Sequence, residues 1–257
     1  MNRRALIFWT IFGSIALGIA LSVTYLARTP LTPLTGADQL VLVVADTDTS
    51  THARLETFYR QGNTWRPMFT CPAILGRNGL AWGRGLHRDR DRTPLEPVKR
   101  EGDGKSPAGA FELLHAFGYP PPDSVQTKLP YTQSTPDLIC LDDIRSEYYA
   151  LVVNLREKKL DPANLPSHEN MRRDDDLYRY VIVVGHNTDR PVKGAGSCVF
   201  LHIWRGENSF TAGCTAMAVE NMQRLLAWLD PQKRPVLVQL TGKSYERLKG
   251  DWGLPGR

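Results

Sequence analysis

The residue pair best suited to covalent chemistry is Cys214 with His202, which stand twelve residues apart. His202 falls in the apolar run 199–203, and Cys214 ends the sequence Thr211-Ala-Gly-Cys. A hairpin through these two segments would bring the side chains together. A free thiol has a pKa of about 8.5, and a neighbouring imidazole can take its proton to create a thiolate. The spacing predicts a Cys214 nucleophile with His202 as base, or alternatively an inert, buried cysteine.

The residues beside Cys214 would serve the same chemistry. Gly213 permits tight backbone geometry and the close approach of a substrate. Residues 217–229 place apolar side chains on one side at helical spacing, and Pro231 marks the end of this predicted helix. If the helix begins soon after Cys214, its unpaired N–H groups and positive dipole end favour a thiolate and an adjacent oxyanion.

Other polar clusters favour structural explanations. Asp142 and Asp143 are adjacent and would face opposite sides of a strand, so they predict a braced loop rather than a carboxylate pair. His186 follows an apolar run without a partner, which is typical of a structural histidine. The sequence has no close-spaced pair of zinc ligands, so we expect no metal site. The arginines of residues 84–92 alternate with aspartates, which predicts a solvated loop rather than a nucleic-acid surface.

Short apolar bursts dominate the elements that must position this pair. Bursts rich in Val and Ile and bounded by Gly, Pro, Asn or Asp predict strands at residues 40–45, 73–75, 151–153, 181–184, 199–203 and 236–240. Long glycine-rich connections at 76–85 and 99–109 are the kind of loop on which sites are built. We therefore predict one mainly β domain over residues 37–257, with one prominent helix after the cysteine turn.

The N-terminus has the pattern of an export segment. Arg3 and Arg4 precede residues 5–27, which carry no charge. About 20 apolar residues can span a bilayer, whereas cleavable signals have apolar regions of about 7 to 15 residues, so the length of residues 1–27 favours an anchor. A small-x-small site at residues 20–22 keeps a cleaved signal as the alternative. Both interpretations send residue 28 onward out of the cytoplasm, with the proline-containing residues 28–36 as a linker.

Composition and charge limit the remaining classes. The chain has 257 residues, of which 42% are hydrophobic and 23% charged, and these values exclude disorder and low-complexity classes. The net charge of +5 is small for this length and gives no support for a nucleic-acid partner. Four cysteines are too few for a disulfide framework.

Taken together, these residues resemble the L,D-transpeptidase catalytic domain, also called the YkuD-like family. The family signature is a histidine on one strand followed by a [Ser/Thr]-x-Gly-Cys turn, which His202 and Thr211-Ala-Gly-Cys match. Further segments similar to one branch of the family lie in order at 76–83, 99–111, 142–143 with 148–149, 176–178 and 194–198. The resemblance implies an L,D-transpeptidase-like β-sandwich and a periplasmic or otherwise extracytoplasmic enzyme.

The resemblance also implies a mechanism of acyl transfer on peptidoglycan. Cys214 would attack the carbonyl between the third residue of a stem peptide and its terminal D-alanine, releasing D-alanine and leaving a thioester. His202 would manage the protons, and backbone N–H groups near Gly213 would stabilise the oxyanion. No metal or organic cofactor would be needed. The partners would be stem peptides and, if the N-terminal helix stays uncleaved, the inner membrane.

Three positions depart from the family pattern. Ala212 and Ala216 stand where the common turn has a histidine and an arginine, and Ile203 replaces a glycine that often follows the histidine. Ala216 leaves the substrate carboxylate without its usual partner. Ile203 leaves open which group orients the imidazole.

The carboxylate of the substrate must therefore be bound by another residue. We expect Arg205 in this role, with Arg77 and Arg100 behind it, because arginine can grip a carboxylate with two hydrogen bonds. Thr211 and Thr215, which flank the Gly-Cys pair, complete the predicted substrate-binding residues.

Three functions and one disulfide pairing follow as expectations. The leading function is a transpeptidase, the second a hydrolase of the same fold, and the third a wall-binding protein with an inert cysteine. In an oxidising compartment one disulfide can form among Cys71, Cys140 and Cys198, and we expect it to join Cys140 with Cys198.

Overall fold

Residues 32–256 are described by the structure, a computed structural model, and the segment 1–27 predicted to be an anchor or signal lies outside them. The strands within the described range are β1 Gln39–Ala45, β2 His52–Gln61, β3 Thr64–Ile74, β4 Leu80–Trp82, β5 Ser106–Gly118, β6 Tyr131–Gln133, β7 Leu138–Cys140, β8 Val152–Asn154, β9 Glu169–Asn170, β10 Tyr180–Val184, β11 Phe200–Ile203, β12 Thr215–Met217 and β13 Pro235–Thr241. The α-helices there are α1 Leu155–Lys158, α2 Val219–Trp228 and α3 Gly242–Trp252. None of these helices is long and apolar enough to cross a bilayer.

The main sheet closes on itself. Its strands follow the order β10-β11-β12-β3-β2-β1-β13-β5-β4, and β6 adds to β5. Because β10 also pairs with β5, the path returns to its first strand and forms a barrel-like ring. The expectation of a mainly β fold is confirmed. The expected β-sandwich differs from the structure, since one continuous ring takes the place of two separate facing sheets within residues 32–256.

Strand β1 is the centre of the packed interior. All seven of its residues are buried, because β2 and β13 pair with its two edges. Helix α3 packs against β1 and β13, and its Tyr245, Leu248 and Trp252 are buried. A nearly continuous run of apolar residues is typical of a strand that is buried on both faces of its sheet. The barrel therefore supplies a rigid support for the segments on its surface.

A smaller sheet of β8, β7 and β9 lies between β6 and β10 in the chain. We name residues 138–178 the cap. The Cys140–Cys198 disulfide joins β7 of the cap to the loop before β11, and the two Cα atoms are 5.9 Å apart. This confirms the expected pairing. The cross-link ties the cap to the strand that carries His202.

Most predicted elements are present. The bursts at 40–45, 181–184, 199–203 and 236–240 correspond to β1, β10, β11 and β13, and the predicted helix at 217–229 corresponds to α2. The sequence analysis missed β2, nearly all of β3, and β5. The glycine-rich stretch 99–109, predicted to be a loop, already enters β5 at Ser106. Helix α3 was also missed, so α2 is not the one prominent helix among the described residues.

The hairpin predicted for the cysteine turn was wrong. Strands β11 and β12 are parallel, so residues 204–214 form a crossover rather than a hairpin turn. Strand β12 separates Cys214 from α2, which begins only at Val219, so the helix start does not directly follow the thiol. Register still brings the pair near each other, because Leu201 lies opposite Thr215 and His202 opposite Ala216.

The packed domain begins before residue 37, its predicted first residue. Residues 33–36 belonged to the predicted linker, yet Leu34 is buried in the core. The guanidinium of Arg234 donates hydrogen bonds to the carbonyls of Pro33 and Thr35. These contacts extend the packed domain to Pro33.

Candidate active site

The cysteine turn is fixed by hydroxyl groups on both sides. The Thr211 hydroxyl accepts from the Gly213 N–H at 3.1 Å and donates to the Cys214 carbonyl at 2.6 Å. The same carbonyl accepts from the Ser106 hydroxyl at 2.7 Å, and Ser106 accepts from the Gly76 N–H at 2.9 Å. A side chain at Gly213 would stand 3.1 Å from the Lys105 carbonyl, which explains why the turn needs a glycine here. The backbone around Cys214 is thus held from β3, β5 and its own loop.

The Cys214 side chain is buried, with 7% of its surface exposed. Its sulfur accepts from the Phe200 N–H at 3.4 Å, and its thiol faces the Cys198 carbonyl at 3.6 Å. Burial, and after it the negative charge of Glu169, raise the pKa of the thiol to about 12. The resting sulfur is therefore a thiol at neutral pH.

The two ring nitrogens of His202 differ in protonation. Its Nδ1 lies 2.8 Å from the carbonyl of Ile203, and because a carbonyl only accepts, Nδ1 carries the proton. Its Nε2 is then the unprotonated, basic nitrogen. Burial lowers the pKa of His202 to about 4, so the imidazole is neutral at pH 7. The main chain of Ile203 therefore orients the imidazole, although its side chain departs from the glycine of the family pattern.

Cys214 and His202 line one cleft of about 230 Å³. The cap contributes Glu169, Arg173 and Tyr178 to its wall, and the β11–β12 crossover contributes Arg205 and Phe210, among others. Phe210 is 60% exposed, so the cleft has an apolar face open to solvent. A candidate nucleophile, a candidate base, charged groups and an apolar surface therefore line the same cleft.

Tyr178 fills the space between the histidine and the cap. Its ring packs edge-on against His202 and Phe200, with centroids 5.2 and 5.7 Å away. Its hydroxyl donates to Glu169 Oε2 at 2.8 Å. Residues 176–178 belong to a segment that resembles the family, but no role was predicted for Tyr178 or Glu169. Neither residue has a motif around it, so only the folded cap identifies them.

Arg205 lines the cleft but already has a carboxylate partner. Its Nη2 lies 3.2 Å from Asp175 Oδ2, and the side chain is 65% exposed. Arg173 grips the same Asp175 through two hydrogen bonds, at 2.9 and 3.0 Å. Arg173 was not predicted, and no local pattern signals it. The two arginines converge on one carboxylate at the mouth of the cleft.

The other predicted substrate-binding residues differ in where they lie. Thr215 is in the core, where its hydroxyl donates to Gln239 Oε1 at 2.7 Å. Thr211 lines the cleft, but its hydroxyl serves the cysteine turn. Arg77 and Arg100 are exposed and are not among the residues that line this cleft.

His186 and Asp143 both have partners within the fold. His186 is buried, accepts from the Arg84 N–H at Nδ1 and contacts the Ala195 carbonyl through Nε2. Asp143 pairs with Arg145 after β7. Across the described part of the chain, no three His, Cys, Asp or Glu side chains are grouped so as to hold a metal ion.

Comparison with known proteins identifies the family of the domain. Residues 42–238 match the family described as L,D-transpeptidase catalytic domain, YkuD. No curated protein matches the chain. Among solved structures, "Structure of Bdellovibrio bacteriovorus Bd1075" is similar at 12% identity with a TM-score of 0.39. The aligned region covers 84% of this chain and 55% of that one, so the match spans about half the length of that chain.

Proposed function

Because the chain belongs to the YkuD family of L,D-transpeptidase catalytic domains, we propose that it is a cysteine acyltransferase acting on peptidoglycan stem peptides. The observation that carries the proposal is the cleft that Cys214 lines together with a neutral His202, whose Nε2 is unprotonated. This arrangement provides a nucleophile and a base without a metal or cofactor.

In the first half-reaction, Cys214 attacks the carbonyl carbon between the third residue and the terminal D-alanine. The thiol proton passes to His202 Nε2 as the carbon–sulfur bond forms. The Cys214 N–H is the donor we assign to the resulting oxyanion, since the neighbouring Gly213 N–H is bonded to Thr211. The carbon–nitrogen bond then breaks, the leaving amine takes the proton from His202, and D-alanine departs with a thioester left on Cys214.

In the second half-reaction, an acceptor amine attacks the thioester. His202 Nε2 takes a proton from the amine, the carbon–sulfur bond breaks, and the proton returns to the sulfur. The product is a new amide bond, and the thiol is restored. Water in place of the amine would give hydrolysis, and Ala216, where the family turn has an arginine, is the observation that keeps this second function open.

The proton balance of the resting site supports a concerted proton transfer. A thiol pKa of about 12 beside an imidazole pKa of about 4 favours the neutral pair strongly over a thiolate–imidazolium pair. The thiol proton then leaves as the substrate carbonyl is attacked, and the negative charge passes to the oxyanion, which the backbone N–H donor stabilises.

Arg173 and Arg205 are the groups we assign to the substrate carboxylate. Asp175 forms an ion pair with each of the two guanidinium groups. A peptide carboxylate could replace Asp175 on the more exposed Arg205 while Arg173 keeps its two bonds. The family acts on the cell wall, so we also propose an extracytoplasmic location for the domain.

The deciding experiment incubates full-length protein with a tetrapeptide stem that ends in D-alanine, with and without a second stem peptide as amine donor. A cross-linked product that depends on the amine supports the transferase. Free D-alanine and tripeptide without any linked product supports the hydrolase. No turnover, or equal turnover by a Cys214→Ala variant, contradicts both functions and favours the wall-binding protein.

A further inference from the structure

Glu169 brings a carboxylate to the cleft that Cys214 and His202 line. The side chain is partly buried, and its Oε2 accepts from the Tyr178 hydroxyl at 2.8 Å. Among residues 32–256, no hydrogen bond reaches its other oxygen, Oε1, and no ion pair forms at the carboxylate. Oε1 is also not one of the buried, unbonded side-chain oxygens of this range, so it is open to solvent. One carboxylate oxygen is therefore fixed by the cap, and the other is free to accept from a ligand.

The positive side chains around the cleft are bonded to other carboxylates. Arg173 donates two hydrogen bonds to Asp175, and Arg205 pairs with the same group. The ammonium of Lys99, which lies behind the cysteine turn, pairs with Asp103 at 2.6 Å. A partly buried carboxylate without a close positive partner is unfavourable, and a bound cation offsets that cost.

The acceptor amine brings one more proton than His202 can hold. An alkyl amine has a pKa of about 10.4, so it arrives at neutral pH as an ammonium ion. Its nitrogen must lose two protons to become the nitrogen of an amide. His202 Nε2 accepts one of them and passes it to the sulfur. The other proton needs a second acceptor.

We propose that Glu169 binds the acceptor amine as its ammonium ion and takes the first of these two protons. The inference rests on the proposed function, because it requires a thioester on Cys214. It makes Glu169 a catalytic residue of the second half-reaction, since Oε1 touches the acceptor nitrogen. The cleft of about 230 Å³ is small, so an amine held at Glu169 shares a confined space with the thioester.

The protons and bonds of the second half-reaction then balance. An N–H bond of the ammonium breaks, and its proton protonates the Glu169 carboxylate. The neutral nitrogen attacks the thioester carbon, His202 Nε2 takes a second proton from the nitrogen, and the carbon–sulfur bond breaks. His202 returns its proton to the sulfur, and Glu169 releases its own to solvent at Oε1. An amide, a thiol and one proton in solution are the products.

The surroundings of Glu169 suit a group that takes up a proton and releases it. Burial is the largest influence and raises the pKa of Glu169 above its ordinary value, and the hydrogen bond from Tyr178 opposes this. Asp142, which follows β7, and Glu101, from the loop before β5, raise the pKa of Glu169, whereas Arg173, which follows β9, lowers it. A negative charge at this place also attracts an ammonium ion in preference to water, which favours transfer over hydrolysis.

The test measures how the thioester on full-length protein divides between an added nucleophile and water. The donor is a tetrapeptide stem whose amines are acetylated, so that it cannot act as acceptor. The nucleophile is either a stem peptide with a free amine, which is a cation at neutral pH, or hydroxylamine, which is uncharged there. Mass spectrometry gives the ratio of linked peptide or hydroxamate to hydrolysed donor. This ratio does not depend on how fast the thioester forms.

In Glu169→Gln, we expect the ratio of linked peptide to hydrolysed donor to fall about tenfold, because a charge-assisted hydrogen bond to the ammonium is lost. The hydroxamate ratio should stay at its wild-type value. Glutamine keeps the size of the side chain, and its carbonyl oxygen can still accept from Tyr178. A wild-type linked-peptide ratio in E169Q, or an equal fall with both nucleophiles, would overturn the inference.

Glu101 supplies the matched control. It also accepts a hydrogen bond from a buried tyrosine, Tyr149, but it does not line the cleft. Glu101→Gln should keep both ratios within twofold of wild type, and a tenfold fall here would contradict a specific role for Glu169. If wild type hydrolyses the donor but links no peptide, this inference fails while Cys214 remains the nucleophile. If wild type leaves the donor intact, the proposed function fails as well.

Discussion

The two residues at the centre of the cleft are both uncharged in the resting protein. Burial raises the pKa of Cys214 and lowers that of His202, so the same low-dielectric surroundings disfavour the charged form of each. The hydrogen bond from Nδ1 to the Ile203 carbonyl leaves Nε2 as the nitrogen that can accept a proton. Cys214 and His202 are therefore a neutral pair at rest. The thiol should react slowly with alkylating reagents, whose reaction forms no oxyanion.

His202→Gln should lower turnover of a stem peptide by about 10²- to 10⁴-fold, the range that a positioned general base contributes. The glutamine amide can still donate to the Ile203 carbonyl but offers no basic nitrogen. His115→Gln is the control, since His115 bonds to Thr132 outside the cleft, and it should leave turnover unchanged. Wild-type turnover by the His202 variant would remove the histidine from the mechanism.

The same variant should change how stability depends on pH. His202 and His186 both have pKa values lowered from 6.5 to about 4, so unfolding takes up protons as the pH falls through this interval. Each should cost about 2 kcal/mol of unfolding free energy between pH 7 and pH 5. H202Q has lost one of these groups, and its urea unfolding free energy should fall less steeply over that range. Identical slopes for wild type and H202Q would contradict a neutral, buried His202.

At the scale of elements, β11, β12 and the crossover between them assemble the site. The sequence was sufficient to place β11, α2 and the cysteine turn, because apolar bursts and helical spacing are local signals. It did not predict that β11 and β12 are parallel, since a twelve-residue spacing fits a hairpin equally well. It also missed Glu169, Arg173 and Tyr178, because only the packing of the cap places them along the cleft. Thr215 was assigned to the cleft from its position beside Cys214, but strand alternation directs it into the core.

Ser106 is the clearest element-scale test, because it links the start of β5 to the turn and to the end of β3. Ser106→Ala would leave the buried Gly76 N–H without its partner and would remove one of two donors to the Cys214 carbonyl. We expect a loss of about 1–3 kcal/mol in unfolding free energy, together with slower acylation. Ser124→Ala removes an exposed hydroxyl contact to Pro121 and should change neither. Full stability and activity in S106A would show that the turn does not depend on this bridge.

At the scale of the whole molecule, a closed barrel carries a cap that is held by one cross-link. The Cys140–Cys198 disulfide closes a loop across 58 positions of sequence, and Cys198 also offers its carbonyl to the Cys214 thiol. The cross-link therefore couples the fold of the cap to the position of the nucleophile. The pairing could be expected from the sequence because one of the four cysteines was assigned to chemistry, whereas its contact with the site required the structure.

Removing the disulfide with Cys140→Ala and Cys198→Ala together should lower the unfolding free energy by about 4 kcal/mol, the loop-closure entropy for a loop of this length. It should also speed alkylation of Cys214, because the cap is less firmly held over the sulfur. Cys71→Ala, which removes a buried thiol but no cross-link, should destabilise less and leave alkylation unchanged. Urea unfolding of wild type, the double variant and Cys71→Ala measures these differences. Equal midpoints for wild type and the double variant would contradict a stabilising role for the disulfide.

The central claim is that Cys214 is an acylated nucleophile, and intact-mass spectrometry of the full-length protein after incubation with a carbapenem tests it most directly. A carbapenem acylates a nucleophile by ring opening, so one adduct adds the mass of the whole molecule. We expect one adduct on wild type and on Cys71→Ala, and none on Cys214→Ala. An adduct that persists on Cys214→Ala would contradict the assignment of Cys214 as the nucleophile.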